Sequence, residues 1–387
     1  MRGALYGTTA AAGVGLLQYK RGTAPHGERG LLIRAIVQAC EDAGVDPAEV
    51  DGFCSYGFDH NQPDYLTAEL GTKELHFSNM MWGAGGGGLL GAFEAAAMAI
   101  ATGQAEIVAV YRSLAQGDSG RLANAVIAHH VNNHSASAGL VTPAIVCGLR
   151  AQRMILEHGF PWSAIEALVR ADYYHGSRNP DAVAYGKPLD IETYRAGRKI
   201  TGPLRLFDCS RENDGAGVVL MTSAERARDL RKAPVYLLGA AQGSQKGWGN
   251  LIENDLDYAS AGFESVARRL WQKTGLGPED IDVTQLYENF TPQAVATLVD
   301  HGMTSWESVG EDLVFENLIA PNGRMPLNTD GGNLACGFIH GINIVVEAVR
   351  QLRGESANPV PDAKTCLVTG GPGSRINTSA VFANEVP

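Results

Sequence analysis

Apolar residues recur at helical spacing from 31 to 44 (Leu32, Ala35, Ile36, Ala39, Ala43), predicting an amphipathic helix that stops at Gly44. The turn GVDPAEVDGFCSY follows and closes in an apolar strand around Gly52–Tyr56. The same order returns downstream: a helix over 264–275, then GLGPEDIDVTQLY. Shifted by 231 positions, Gly44, Pro47, Asp51 and Tyr56 fall on Gly275, Pro278, Asp282 and Tyr287. In both copies the proline can open a new helical turn after the glycine break.

A second pairing has the same form. Leu89–Thr102 reads as a small-residue helix ending at Gly103, followed by a buried strand in EIVAVY. Residues 339–353 read as a helix ending at Gly354, followed after a loop by TCLVTGG. A glycine-rich loop precedes each helix, MWGAGGGGLL in one case and TDGGNLACGF in the other. Two similar α/β halves are therefore expected, with continuously apolar strands of the kind buried in parallel sheets. The charged stretch AERARDLRKA before PVYLLGA places the division near 224–234, giving an N-terminal half of 1–230 and a C-terminal half of 231–387. Residues 113–200, richer in His, Asn and Tyr, are expected to form a helical and loop insertion over the site.

Composition narrows the classes. A net charge of −11 and the lack of a basic cluster argue against nucleic acid as a partner. No apolar run approaches a membrane span, and the start of the sequence lacks a signal pattern, so a cytoplasmic location is expected. The six cysteines form no CxxC pair, which implies neither a zinc module nor a disulfide framework. His129, His130 and His134 do not match a zinc signature, and no metal is expected. The 47 glycines, scattered among apolar runs, point to tight turns and close backbone approaches.

Three stretches carry a resemblance: LRLFDCSRENDGAGVVLMTS (204–223), DVTQLYENFTPQAVATLVDHGM (282–303) and PLNTDGGNLACGFIHGINIVVEAVRQLRG (326–354). With the tandem repeat they resemble the thiolase superfamily, and within it the sterol-carrier or lipid-transfer branch. The resemblance implies a thiolase fold, two pseudo-twofold-related βαβαβ halves in five layers, acting on acyl-CoA esters. It also implies losses. The position of the thiolase nucleophile falls on Gly86, with no cysteine between Cys54 and Cys147. The activating histidine of the second-half loop is replaced by Phe338, and the last acid/base cysteine by Leu367 or Thr369. Tyr287 of YENF stands where thiolases carry Asn or His, as in steroid side-chain aldolases of this branch.

Those homologues cleave a β-hydroxyacyl-CoA by retro-aldol reaction and need no nucleophile. The implied site has Tyr287 and His340 as catalytic groups. Gly86, Gly87, Phe338 and Gly371 would form an oxyanion and acyl pocket, with Asn289 and Cys336 as further candidates. His340 enters because Phe338 replaces a second tyrosine of the pattern and cannot transfer a proton, whereas imidazole titrates in a suitable range. Coenzyme A is expected only as part of the substrate, with no bound cofactor. A homodimer and a separate OB-fold, zinc-ribbon partner protein are also implied. Two other readings stay open: acyl transfer with Cys336 as the donor thiol, and a non-catalytic acyl-CoA or lipid-binding subunit.

Overall fold

The computed structural model describes residues 2–119, 137–245 and 257–386. Eleven strands occur among them: β1 Thr9–Lys20, β2 Gly52–Tyr56, β3 Phe77–Met81, β4 Ile107–Ala115, β5 Lys199–Thr201, β6 Leu204–Arg205, β7 Asn213–Ser223, β8 Val235–Gly243, β9 Val283–Gln285, β10 Thr365–Gly370 and β11 Asn377–Ala383. Nine of them form one mixed sheet in the order β3-β2-β4-β7-β1-β8-β11-β10-β9. From its middle outward the sheet repeats itself. β1-β7-β4-β2 on one side matches β8-β11-β10-β9 on the other, each with two antiparallel pairings and then a parallel one. The halves meet where Ala10 and Ala11 of β1 pair with Tyr236 and Val235 of β8.

The 231-residue repeat is physical. Helices Glu28–Ala43 and Glu264–Thr274 both end on a left-handed glycine, Gly44 at φ 75° and Gly275 at φ 70°. Each cap amide returns to a carbonyl four residues back, that of Cys40 or Trp271, which satisfies an otherwise orphaned acceptor. Short 3-10 turns follow at Pro47–Glu49 and Pro278–Asp280. Asp51 then accepts the amides of Glu106 and Ile107, while Asp282 accepts those of Lys364 and Thr365. In both halves these are the two residues ahead of the first parallel pair, Gly52↔Val108 or Val283↔Cys366. The aspartate thus sets the register of the incoming strand.

Helix Glu28–Ala43 covers the outer face of β1, β7 and β4, helped by Gly13 and Gly15, where an added Cβ would strike the helix backbone. Helix Glu264–Thr274 covers β8 and β11. Between the two half-sheets lie Leu89–Ala101 and Ile342–Leu352, each touching strands of both halves through one shared apolar core. Helix, sheet, helix pair, sheet and helix make the five layers of a thiolase fold.

The insertion begins later than the expected 113, because β4 stays in register with β7 through Ala115↔Asp214. Its main helices are Pro143–His158 and Trp162–Gly176. Although it leaves the first half, it packs on the second: Ala164, Ile165 and Leu168 share a core with Val295, Leu298 and Leu318. The triplet His129, His130 and His134 lies outside the described residues.

Candidate active site

The two central helices start from glycine loops, and the loops of the two halves meet. Gly371, at φ 76°, has no room for a side chain, since an added Cβ would come within 2.8 Å of the Gly87 nitrogen. Gly370 faces the Gly86 carbonyl in the same way, at 2.7 Å. Tyr287, two residues beyond β9, enters this junction. Its backbone amide donates to Thr369 Oγ1 at 3.2 Å, which ties it to the end of β10. Its ring fills the space above Gly86: an added Cβ there would fall within the ring, 2.7 Å from both Cδ2 and Cζ. The Gly86 amide donates to Tyr287 Oη at 3.1 Å. A side chain at Gly86 and the ring of Tyr287 cannot occupy this space together, so the position at which the resemblance puts the thiolase nucleophile has no room for one.

Burial pushes the Tyr287 phenol well up from its ordinary value, only partly offset by the Gly86 hydrogen bond, so it is protonated near neutral pH. Oη accepts from Gly86, and its own proton is committed to no hydrogen bond with the described residues. The Phe338 ring stands edge-on to Tyr287, with centroids 5.9 Å apart, and edge-on to His340 at 5.2 Å. Asn213 Oδ1 fixes Phe338 by accepting its amide at 2.6 Å. His340 is a non-glycine residue at φ 48°, held there by the Tyr56 hydroxyl donating to its carbonyl at 3.0 Å.

The structure therefore brings together Tyr287, Gly86, Gly87, Gly371, Phe338 and His340, and alters two expected roles. The amides of Gly86 and Gly87 were expected to hold an oxyanion, but they donate to Tyr287 Oη and to the Ala84 carbonyl. His340 was expected to titrate as an acid/base. Burial and then Arg112 push its pKa well below the ordinary imidazole range, so it is neutral near pH 7. Of the remaining candidates, Asn289 uses Oδ1 on the Phe290 amide and its carbonyl on the Ser210 amide. Cys336 is buried, with Sγ accepting from Gln18 Nε2 at 2.9 Å, and burial beside Asp330 holds the thiol well above its usual range. A thiol kept protonated is a poor nucleophile.

Comparison with known proteins places the chain. Residues 244–383 match the family model "Thiolase C-terminal domain-like". A 17-hydroxy-3-oxo-4-pregnene-20-carboxyl-CoA lyase of Mycobacterium tuberculosis is 36% identical over 380 residues, covering 95% of this chain and 97% of that protein. A steroid side-chain-cleaving aldolase of Thermomonospora curvata is 33% identical over 380 residues, 95% of this chain and 96% of its own. The solved Ltp2-ChsH2(DUF35) aldolase superposes with a TM-score of 0.89 at 32% identity, over 98% of both chains. The chain belongs to the thiolase superfamily, in the family of the steroid side-chain-cleaving aldolases. Human mitochondrial 3-ketoacyl-CoA thiolase, at 15% identity and a TM-score of 0.72, shares the fold.

Within this aldolase family fold, several residues at the site escape a reading from sequence. Arg112 and Asp59 form a buried ion pair at 2.7 Å directly behind His340. An arginine inside the otherwise apolar IVAVYRSLA strand was the available signal. Glu288, next to Tyr287, is fully buried; its Oε1 accepts the amides of Asn333 and Leu334. Asp172, reaching in from the insertion helix, lies beside the Glu288 carboxyl, and both are held well above the usual carboxylate range: Asp172 by burial and then the Glu288 and Asp330 charges, Glu288 by burial and then the Asp330 charge. Among the described residues no helix is long and apolar enough to cross a membrane.

Proposed function

We propose that this chain cleaves the side chain of a steroid β-hydroxyacyl-CoA by retro-aldol reaction, yielding a ketosteroid and a short acyl-CoA such as propionyl-CoA. The observation that carries this is the Tyr287 ring seated against Gly86, the position at which the resemblance puts the thiolase nucleophile, with Oη on the Gly86 amide. An acyl-enzyme has no side chain there to form on, whereas a phenol is in place for proton transfer. In the cleavage direction a base takes the β-hydroxyl proton and the carbinol carbon becomes a ketone. The Cα–Cβ bond breaks, and its electron pair passes to Cα as the thioester enolate. Tyr287, protonated at the outset, delivers its proton to Cα, and the resulting phenolate is held by the Gly86 amide. The names of the two relatives describe the same class of bond cleavage.

Coenzyme A enters only as the carrier of the acyl group. A separate partner protein belongs to the same proposal, supported by the name of the similar Ltp2-ChsH2(DUF35) aldolase, and the proposal extends to a homodimer and to an OB-fold in that partner. The acyl-transfer reading through Cys336 draws no support from a buried, protonated thiol.

The test uses the purified chain, alone and with its DUF35-type partner, and the CoA thioester of 17-hydroxy-3-oxo-4-pregnene-20-carboxylic acid. Mass spectrometry follows propionyl-CoA and the 17-ketosteroid. Cleavage that is lost in Tyr287→Phe is the expected result. Binding without cleavage under both conditions overturns the steroid assignment, and undiminished cleavage by Tyr287→Phe overturns the role of the phenol.

A further inference from the structure

Arg112 donates from all three of its guanidinium nitrogens within the core. Nη1 reaches Asp59 Oδ2 at 2.7 Å and the Ser113 carbonyl at 3.0 Å, Nη2 reaches the Gly57 carbonyl at 3.1 Å, and Nε reaches His340 Nδ1 at 3.2 Å. A guanidinium has no acceptor and is not deprotonated in proteins. Nδ1 of His340 must therefore present a lone pair, and the single ring proton sits on Nε2. That nitrogen makes no hydrogen bond to the described residues, and the ring lies edge-on to Phe338, itself edge-on to Tyr287. The groups facing His340 are Arg112 from β4, the Tyr56 hydroxyl from β2 on its carbonyl, and the Gly57 backbone, whose added Cβ would lie 3.5 Å from Nδ1. Among the described residues no carboxylate bonds the ring; Asp59 is one step removed, on the far side of the guanidinium.

We propose that Arg112 is a positioning residue that locks His340 as the neutral Nε2–H tautomer, making it a fixed hydrogen-bond donor to the thioester oxygen as the enolate forms. Resting on the retro-aldol reading, this assigns the oxyanion task left open by Gly86 and Gly87, whose amides are already engaged. A neutral donor suits it, because it stabilises developing negative charge without giving up its proton. Asp59 holds the guanidinium by accepting from Nη1, and its Oδ1 is anchored by Asn61.

The decisive measurement does not depend on turnover. In protein labelled with 15N-histidine, long-range 1H–15N correlation spectra between pH 5 and 8 report both ring nitrogens, and His340→Gln identifies the resonance pair. The expected pattern is an unprotonated Nδ1 and a protonated Nε2 that do not titrate. A proton on Nδ1, or titration in this window, overturns the proposal whatever the enzyme does with a steroid substrate. If the tautomer is found but no steroid thioester is cleaved, the functional reading fails and the positioning role of Arg112 stands.

Where cleavage is measured, His340→Ala should lose about 10²–10³-fold in kcat, the usual loss for one oxyanion donor. His340→Gln, which keeps an N–H donor, should recover part of it, and equal losses in the two variants overturn the donor role. Arg112→Met should add an imidazole-range ionisation to the pH profile of kcat/KM. A purely structural arginine would lower activity without that ionisation. Should Arg112→Met fail to fold, Asp59→Asn loosens the same clamp and should give a weaker form of the same ionisation.

Discussion

The two halves place a tyrosine at the same point of the same repeat and use it differently. Tyr56 and Tyr287 are 231 residues apart, the first closing β2 and the second two residues past β9, the parallel strands that Asp51 and Asp282 keep in register. Each hydroxyl crosses the pseudo-twofold axis to the glycine loop of the opposite half. Tyr56 donates its proton to the His340 carbonyl, and is thereby a structural prop. Tyr287 accepts from the Gly86 amide and keeps its own proton available. The next residue differs as well. Gly57 is at φ 63° with no room for a Cβ, which would come 2.6 Å from the Gly85 carbonyl, whereas Glu288 buries a carboxyl. A duplicated scaffold thus gives equivalent positions with one hydrogen bond run in opposite senses, and that polarity is the difference on which the proposed proton chemistry at Tyr287 rests.

The comparison breaks most sharply at the two hydroxyls. Tyr287→Phe should lower kcat about 10²–10⁴-fold, the range for a positioned acid or base. Tyr56→Phe removes one neutral hydrogen bond, so it should cost about 1 kcal/mol in denaturant unfolding and less than about tenfold in kcat. Equal losses of rate would mean that the hydrogen-bond direction is not what separates the halves. Gly86→Ala comes next. Its methyl group would enter the Tyr287 ring, so the ring must move, with an expected cost of about 1–3 kcal/mol and kcat falling more than KM rises. A Gly86→Ala variant with normal kcat would show that the ring position does not matter.

The parts of this comparison that the sequence makes legible are local. Gly44 with Gly275, and Asp51 with Asp282, are readable because a left-handed cap and an amide-binding carboxylate are set by residues a few positions apart. Tyr287 and the glycine loops are readable through motif position. Arg112 against His340 is a contact over 228 residues that no periodicity encodes. Burial, and after it that contact, reverses the expectation for His340, since an isolated imidazole titrates near neutrality but one buried against a guanidinium does not. Edge strand β3 also passes unnoticed: its residues are mostly exposed, so it lacks the apolar pattern of a buried strand. The Asp172–Glu288 contact joins the insertion to the second half, and neither segment alone reveals it.

The register clamps should separate the halves by a smaller amount. Asp51 is buried and accepts the Glu106 and Ile107 amides at the start of β4 together with His76 Nδ1; Asp282 accepts the Lys364 and Thr365 amides at the start of β10 from a more exposed position. Leaving buried amides unmatched costs about 1–3 kcal/mol, and exposed amides are rescued by water. Asp51→Asn should therefore destabilise more than Asp282→Asn in urea titrations. The reverse order would mean that the second clamp, not the first, limits the cooperativity of the sheet.

At Glu288, the counterpart of Gly57, the expected effect is a change of slope with pH and not a fixed loss at one pH. Burial raises its carboxyl from 4.5 to about 8, with further upward pressure from Asp330. Between those values the folded protein holds a proton that the unfolded chain has released. Since the slope of unfolding free energy with pH follows protons bound in the unfolded minus the folded state, this group makes stability fall as pH rises. Its contribution is complete below about pH 4.5 and is lost as pH climbs toward 8, at no more than about 1.4 kcal/mol per pH unit for one proton. Glu288→Gln keeps the shape and removes the titration, so its urea midpoint should vary less between pH 5 and 8 than that of the wild type. An unchanged slope would place the excess protons on Asp172 and Glu347, which burial raises in the same direction, and would mean that the residue replacing Gly57 has been ionised all along.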